Sequence, residues 1–382
     1  MIHKHIEWID LSVKVGLSSF TPNGGITESH AMITLNDKQL DAENQYKNLE
    51  IAIERLKQSE IPAKSALVLK RYFVSDAVNQ AAFLNREEDK NIAVSVVQQP
   101  PLNGTKVAAW VYFVADSNVH TDATGTLVLQ RPHFTHLYNT QLQKGLNNEY
   151  AETEYIFDSY TNSLSNYDCT LKDNCIRTWI YVQGVDVHYA DMVTARIACF
   201  DKEELNIDTH YIASTGIEGK YIDPQSLVLM DAYAVKGIEQ EQIKYLLAPT
   251  HLNPTHEYGV TFERGTAVDY GDRRQIFISG TASIDNLGDI VHLTNIKKQT
   301  ERTIENISVL LAEADTEMND IAQMIVYLRD TGDYDVVSEY LDAHYANIPK
   351  VIVWAPVCRP GWLIEIECIA IKEIETTQFE KF

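Results

Sequence analysis

Two glutamates near the end of the chain, Glu365 and Glu367 in LIEIECIAI, have the type and spacing that could do acid–base chemistry. The apolar, β-branched run around them predicts a strand. Residues two apart on a strand share a face, so Leu363, Glu365 and Glu367 emerge on one side while Trp362, Ile364 and Ile366 take the other. Neighbouring like charges, helped by partial burial, raise one carboxyl pKa toward neutrality and permit a protonated donor beside an ionised partner. The same pair would equally serve as the solvated face of a strand, with Glu367 a structural carboxylate.

Other chemical signals are weaker. HFTH at 133–136 and HLNPTH at 251–256 each bring two histidines together, but neither has HExxH spacing or an adjacent cysteine set, and both read as loop histidines. The closest of the five cysteines, Cys169 and Cys175, have five residues between them, so no CxxC pattern exists. Neither GxGxxG nor GxxxxGK[ST] occurs. No metal and no cofactor is expected.

Thirty-two Lys and Arg against 54 Asp and Glu give a net charge of −22, a field that repels phosphate backbones and anionic lipid surfaces. The doublets at 273–274 and 297–298 are too short to make a basic stripe against it. The opening MIHKHIEWID has no apolar core of a signal peptide, and no run of 18 apolar residues occurs. A cytoplasmic protein with a small-molecule partner, no nucleic acid and no membrane is the expectation.

The elements that position the carboxylates recur three times. In 299–334 helical spacing of Ile304, Ile307, Leu310 and Leu311 precedes a short apolar strand at 323–328. Gln45, Leu56 and Asp76 match Gln299, Leu310 and Asp330 at a constant offset of 254, and Thr153, Leu164, Asp173 and Asp186 match Thr300, Leu311, Asp320 and Asp333 at 147. Each copy closes with a similar strand, at 107–114, 227–235 and 363–371. The chain is therefore expected to be α+β, with units at 1–117, 118–245 and 246–382. At an offset of 256 unit one sets Leu102, Asn103 and Ala109 opposite Cys358, Arg359 and Glu365, and at 136 unit two sets Leu229 opposite Glu365. Only unit three keeps the acid.

FISGTASID at 277–285, the helix start at 299–306, VYLRDTGDY at 326–334 and CRPGWLIEIECIA at 358–370 make the third unit resemble the Rid (YjgF, or endoribonuclease L-PSP) family. That resemblance implies small α+β domains that form trimers with ligand clefts between neighbours, here three fused Rid/YjgF-like units forming an intramolecular pseudo-trimer in a monomer. The Arg with which Rid deaminases grip an imino-acid carboxylate falls on Lys350, a point charge without the bidentate fork. This weighs against imine deamination.

Across units two and three the chain is similar to the chorismatases, Rid-related enzymes that remove the enolpyruvyl group of chorismate. The resemblance rests on Arg177-Thr178-Trp179, Tyr189 with Arg196, Thr215-Gly216-Ile217, Arg264 in FERGT, SGTASI at 279–284, and Cys358-Arg359 with Glu365. It implies Glu365 as the catalytic acid with Cys358 beside it, and Arg177, Tyr189, Arg196, Thr215, Arg264 and Arg359 as substrate-binding residues; Gly271 in YGDRR is expected to join them by adding pocket room, a glycine in a turn being its commoner use. Bidentate guanidinium grips would orient the two carboxylates of chorismate; inter-unit salt bridges are their other use. His188 stands where an Arg commonly precedes the Tyr. Hydroxybenzoate-forming members tend to carry a Cys at position 358, so the implied products are pyruvate and 3-hydroxybenzoate, with a dihydroxycyclohexadiene carboxylate as the other outcome. A Rid-fold deaminase or hydrolase on another small carboxylate, and a non-catalytic metabolite-binding protein, remain the alternatives.

Overall fold

The computed structural model describes residues 1–84 and 89–382. Unit one contributes β1 (Ile2–Trp8), β2 (Val13–Phe20), β3 (Glu28–Leu35), helix α1 (Ala42–Ser59), β4 (Ala66–Val74), β5 (Ala93–Gln98) and β6 (Val107–Val114). Unit two contributes β7 (Val119–Thr121), β8 (Leu127–Gln130), β9 (Thr135–Gln143), α2 (Glu149–Ser165), α3 (Leu171–Asn174), β10 (Cys175–Val182), α4 (Val185–Lys202), β11 (Ala213–Glu218) and β12 (Val228–Lys236). Unit three contributes β13 (Ile243–Leu246), β14 (Gly265–Asp269), β15 (Arg273–Ala282), α5 (Ile296–Glu313), β16 (Ile321–Leu328), α6 (Tyr334–His344), β17 (Lys350–Trp354) and β18 (Ile364–Glu373).

Each unit is one six-stranded sheet with the same strand order, β1-β2-β3-β6-β4-β5 and its two counterparts. The expected triplication is thus the architecture of the chain. The three long helices begin under the same instruction: Asp41, Asn148 and Asn295 each cap with a side-chain oxygen that accepts the backbone N–H three residues on. Shifted by 254 and 147, those caps coincide, which is why the repeat survives in the sequence. The last pair of strands in each sheet is parallel and needs a crossover. Units two and three supply it with α4 and α6; the described part of unit one has only a short turn of 3-10 helix at Ala81–Phe83.

Bulges refine the alignment. Val68, Ile176 and Ala322 interrupt the same ladder in all three units. Tracing the register from there pairs Tyr327 with Glu365, Tyr181 with Leu229 and Phe73 with Ala108. The unit-one counterpart of Glu365 is accordingly Ala108, one position before the expected Ala109.

Apolar side chains of all three units merge into one core where the sheets meet. A buried Arg–carboxylate pair crosses each of the three interfaces: Arg71–Asp231 at 2.9 Å, Arg177–Glu367 at 2.8 Å and Arg273–Glu28 at 2.6 Å. Losing one partner of such a pair costs roughly 3–5 kcal/mol, because the other charge is left buried alone. His136, expected in a loop, instead lies in β9 with its Nδ1 2.7 Å from the Tyr233 hydroxyl, and burial pushes its pKa down to about 3. Among the described residues no helix is long and apolar enough to cross a membrane, and no cluster of three His, Cys, Asp or Glu could hold a metal ion.

Candidate active site

Where unit two meets unit three the structure leaves a cavity of about 310 Å³. Helix α4 forms one wall. Tyr189, Val193 and Arg196 stand four and then three residues apart on it, one helical face, and all line the cavity. The opposite wall is unit three: Phe262 and Arg264 ahead of β14, Gly280 and Ala282 of β15, Cys358 and Arg359 in the loop before β18, and Glu365 on β18 itself.

The helix wall is fixed at its start. The carboxylate of Glu218 accepts the backbone N–H groups of Gly184 and Val185 at 3.1 and 2.8 Å, and Arg329 of unit three forks onto Asp186 at 3.0 and 2.5 Å. Neutral groups are among the partners that orient the arginines. Arg196 Nε donates to the Thr261 hydroxyl at 3.2 Å, and Arg264 Nη2 donates to the carbonyl and side-chain oxygens of Asn253 at 2.9 and 3.1 Å. Arg359 lies over the Trp362 ring at 5.1 Å.

Glu365 is 5% exposed, and burial together with the neighbouring Glu367 carboxylate pushes its pKa up to about 8, against the pull of Arg177 and Arg264. It therefore carries a proton at neutral pH. Cys358 is a neutral thiol: burial and the Glu365 charge push it up to about 12, and it shares a hydrogen bond with the Tyr189 hydroxyl. A thiol held there is not a nucleophile at neutral pH.

Three of the residues expected to bind substrate lie elsewhere. Arg177 and Thr215 are behind the cavity wall, where Arg177 Nη2 donates to Glu367 Oε2 at 2.8 Å and the Thr215 hydroxyl donates to the same oxygen. The strand geometry explains this: residues 177 and 179 of β10 share the face that looks across the interface at Glu367. Gly271 sits in the β14–β15 turn, remote from the cavity lining. Its N–H donates to the Glu380 carbonyl at 2.7 Å, and a Cβ there would come within 2.5 Å of the Phe379 carbonyl, so close packing of the C-terminal segment accounts for the glycine.

Gly280 is the residue that motif reasoning passed over. A Cβ on it would stand 2.1 Å from Glu365 Oε1. It lies in a bulge, since the β15–β18 ladder skips from Ile278–Cys368 to Thr281–Ile366. Glycine inside a strand is the signal that could have found it, marking a close approach.

A profile of the family described as Endoribonuclease L-PSP matches residues 265–372. A RutC family protein of Pyrococcus abyssi is 39% identical over 101 residues, 26% of this chain and 79% of its own length. The 3-aminoacrylate deaminase RutC of Acinetobacter baylyi is 26% identical over 97 residues, 25% of this chain and 77% of its own. A chorismatase crystal structure superposes with a TM-score of 0.62 at 17% identity, covering 82% of this chain and 96% of that one, a likeness of fold.

Proposed function

The chain belongs to the Rid (YjgF, RutC) family, and on that premise we propose that the cleft between units two and three removes the enolpyruvyl group of chorismate. The observation that carries this reading is the convergence, on one cavity, of three arginines and a buried carboxyl whose pKa is pushed up to about 8. A dianion entering a protein of net charge −22 needs such a local positive well.

In the proposed reaction Arg196, Arg264 and Arg359 hold the two carboxylates, and Glu365 delivers its proton to the terminal methylene of the enol ether. The C=C electron pair forms the new C–H bond and leaves an oxocarbenium-like carbon. Oxygen attack there and breakage of the ether release pyruvate, and the Glu365 carboxylate takes a proton back. With water as the nucleophile, one water is consumed and the ring leaves as a dihydroxycyclohexadiene carboxylate. A hydroxybenzoate plus pyruvate contain the atoms of chorismate alone, so that route aromatises the ring with no net water. We take 3-hydroxybenzoate as the product because Cys358, the residue that the chorismatase resemblance ties to hydroxybenzoate formation, lines the cavity with Glu365 and Tyr189.

Purified protein incubated with chorismate should release pyruvate, read by a coupled lactate dehydrogenase assay, with the aromatic acid identified by chromatography. Pyruvate no faster than with the Glu365→Gln variant sinks the reading. Turnover of imino acids with chorismate inert would make this a deaminase instead, and thermal stabilisation by chorismate without consumption would make it a binding protein.

A further inference from the structure

Resting on the reading of Glu365 as the proton donor, we propose that Glu367 is a positioning carboxylate, fixed by unit two, that keeps the proton on Glu365 and so makes the acid depend on the docking of the two units. The geometry is specific. Glu367 is 1% exposed and shares a strand face with Glu365, about 6.6 Å along the backbone. Its Oε1 accepts the Trp179 indole N–H at 2.7 Å, and its Oε2 accepts Arg177 Nη2 at 2.8 Å and the Thr215 hydroxyl. All three donors belong to β10 and β11 of unit two. Both carboxylate oxygens are thus occupied by donors, which fixes the carboxylate in place.

The network also reaches the site. Thr215 Oγ1 accepts the Gly280 N–H at 2.9 Å, and Gly280 is the residue on which the Glu365 carboxyl rests. One hydroxyl of unit two therefore ties the bulge under Glu365 to the carboxylate behind it. Glu367 has no place in the cavity lining, so it acts through Glu365 rather than on a substrate.

The other groups facing Glu365 pull the opposite way or are neutral. Arg264 and Arg177 favour its ionised form. Arg196 and Arg359 add positive charge across the cavity. Tyr189 and Cys358 are both pushed toward their neutral forms by burial, as is Tyr327 on the adjacent strand, paired with Glu365 in register. Arg71 of unit one is a further cation that feels the Glu367 charge. Against these cations, Glu367 is the carboxylate among the described residues that opposes ionisation of Glu365.

The test reads Glu365 without any substrate. Isotope-edited infrared spectra of protein carrying ¹³C-labelled glutamate carboxyls, with Glu365→Gln as the subtraction reference, follow the protonated carboxyl band of Glu365 against pH. The wild-type midpoint should lie near the value of about 8. In Glu367→Gln it should fall by roughly one to two pH units, the size of a unit charge at this spacing in a medium of intermediate dielectric. In Glu367→Gln/Arg177→Met, which removes both charges, it should fall between those two, since the raising effect of Glu367 exceeds the lowering effect of Arg177. Glu367→Asp should restore most of the wild-type midpoint. An unchanged or raised midpoint in the double variant overturns the proposal, and that variant decides alone should the single one not fold. Failure of the chorismate reading would appear in pyruvate release and leave this titration unaffected.

Discussion

The cleft between units two and three and the cleft between units three and one occupy equivalent positions in the pseudo-threefold arrangement, yet they are chemically unlike. The second is roomier, about 610 against 310 Å³. Its helix wall is α6, where Tyr334, Ser338 and Asp342 repeat the spacing of Tyr189, Val193 and Ile197. By strand register Ala108 stands in place of Glu365, Met32 in place of Gly280 and Gly16 in place of Arg264. Lys350 is engaged by Asp342 at 2.9 Å and the Tyr345 carbonyl at 3.3 Å. A cleft is therefore present at both of these boundaries although the residues that line it differ. Of these two clefts only the smaller has the acid and the arginines around it; the bulge that seats the acid is missing from the β3–β6 ladder of unit one, while unit two keeps its counterpart between Met230 and Ala232.

The strongest way to break this contrast is to exchange its central feature. Glu365→Gln should lower chorismate turnover by about 10²–10⁴-fold, the span for a general acid, while Lys350→Met in the other cleft should change kcat/KM by less than about twofold. Equal losses in the two variants would mean that the reaction, if present, does not belong to the smaller cleft. Introducing an acid at Ala108 should create no pyruvate release in a Glu365→Gln background, because that position lacks the charged partner and the arginines.

Next in size is the anion well. Arg196→Met should lower kcat/KM by roughly 10–100-fold, the value of a charge-assisted hydrogen bond at about 1.5–3 kcal/mol, and Arg196→Lys should recover only part of it because the planar fork is lost. Gly280→Ala comes after. The added methyl and Glu365 Oε1 cannot both stay where they are, being 2.1 Å apart. Glu365 Cδ would also be only 2.8 Å away, so the end of the side chain has to swing and not merely rotate, and kcat should drop about tenfold or more with the fold retained, measured by turnover alongside the thermal midpoint. A thermal collapse with turnover per folded molecule unchanged would show that the bulge matters to the sheet and not to the acid.

Much of this comparison could be read before any coordinates. The triplication was visible because the apolar face of a helix is set by neighbours in sequence, so Leu56 falls on Leu310 and Leu164 on Leu311 at constant offsets, and the caps Asp41, Asn148 and Asn295 align at the same offsets. The period of two put Glu365 and Glu367 on one face, and family likeness singled out Arg196, Arg264 and Arg359, all of which line the cavity. What escaped were facts of long-range packing. Alternation says that Arg177 and Trp179 share a face but not which unit that face meets, and the answer, Glu367 some 190 positions later, turns a supposed substrate ligand into an inter-unit anchor. Gly271 misled for the same reason, its space being taken by residues 379–381. The one-residue slip in unit one arose because its last strand, VAAWVYFV, is apolar throughout and has no side chain that fixes its register, which the pairing of Phe73 with Ala108 does.

The smallest effect is also the one least dependent on any substrate. Folding raises the Glu365 pKa from 4.5 to about 8, so between those values the native protein binds more protons than the unfolded chain. Stability from this group is then full below pH 4.5 and is lost as pH rises through 8, by an amount on the order of 5 kcal/mol if the whole shift is realised. Glu365→Gln cannot ionise and escapes that loss. Its thermal midpoint minus that of the wild type should therefore be near zero at pH 5 and grow to a few degrees at pH 9, the background repulsion from a net charge of −22 being nearly the same in both proteins and cancelling in the difference. Ala108→Gln in the other cleft has no buried acid to relieve and should show no such growth with pH. Parallel midpoint curves for wild type and Glu365→Gln would mean that Glu365 titrates as an ordinary carboxyl, and the chemical distinction between the two clefts would then rest on the arginines alone.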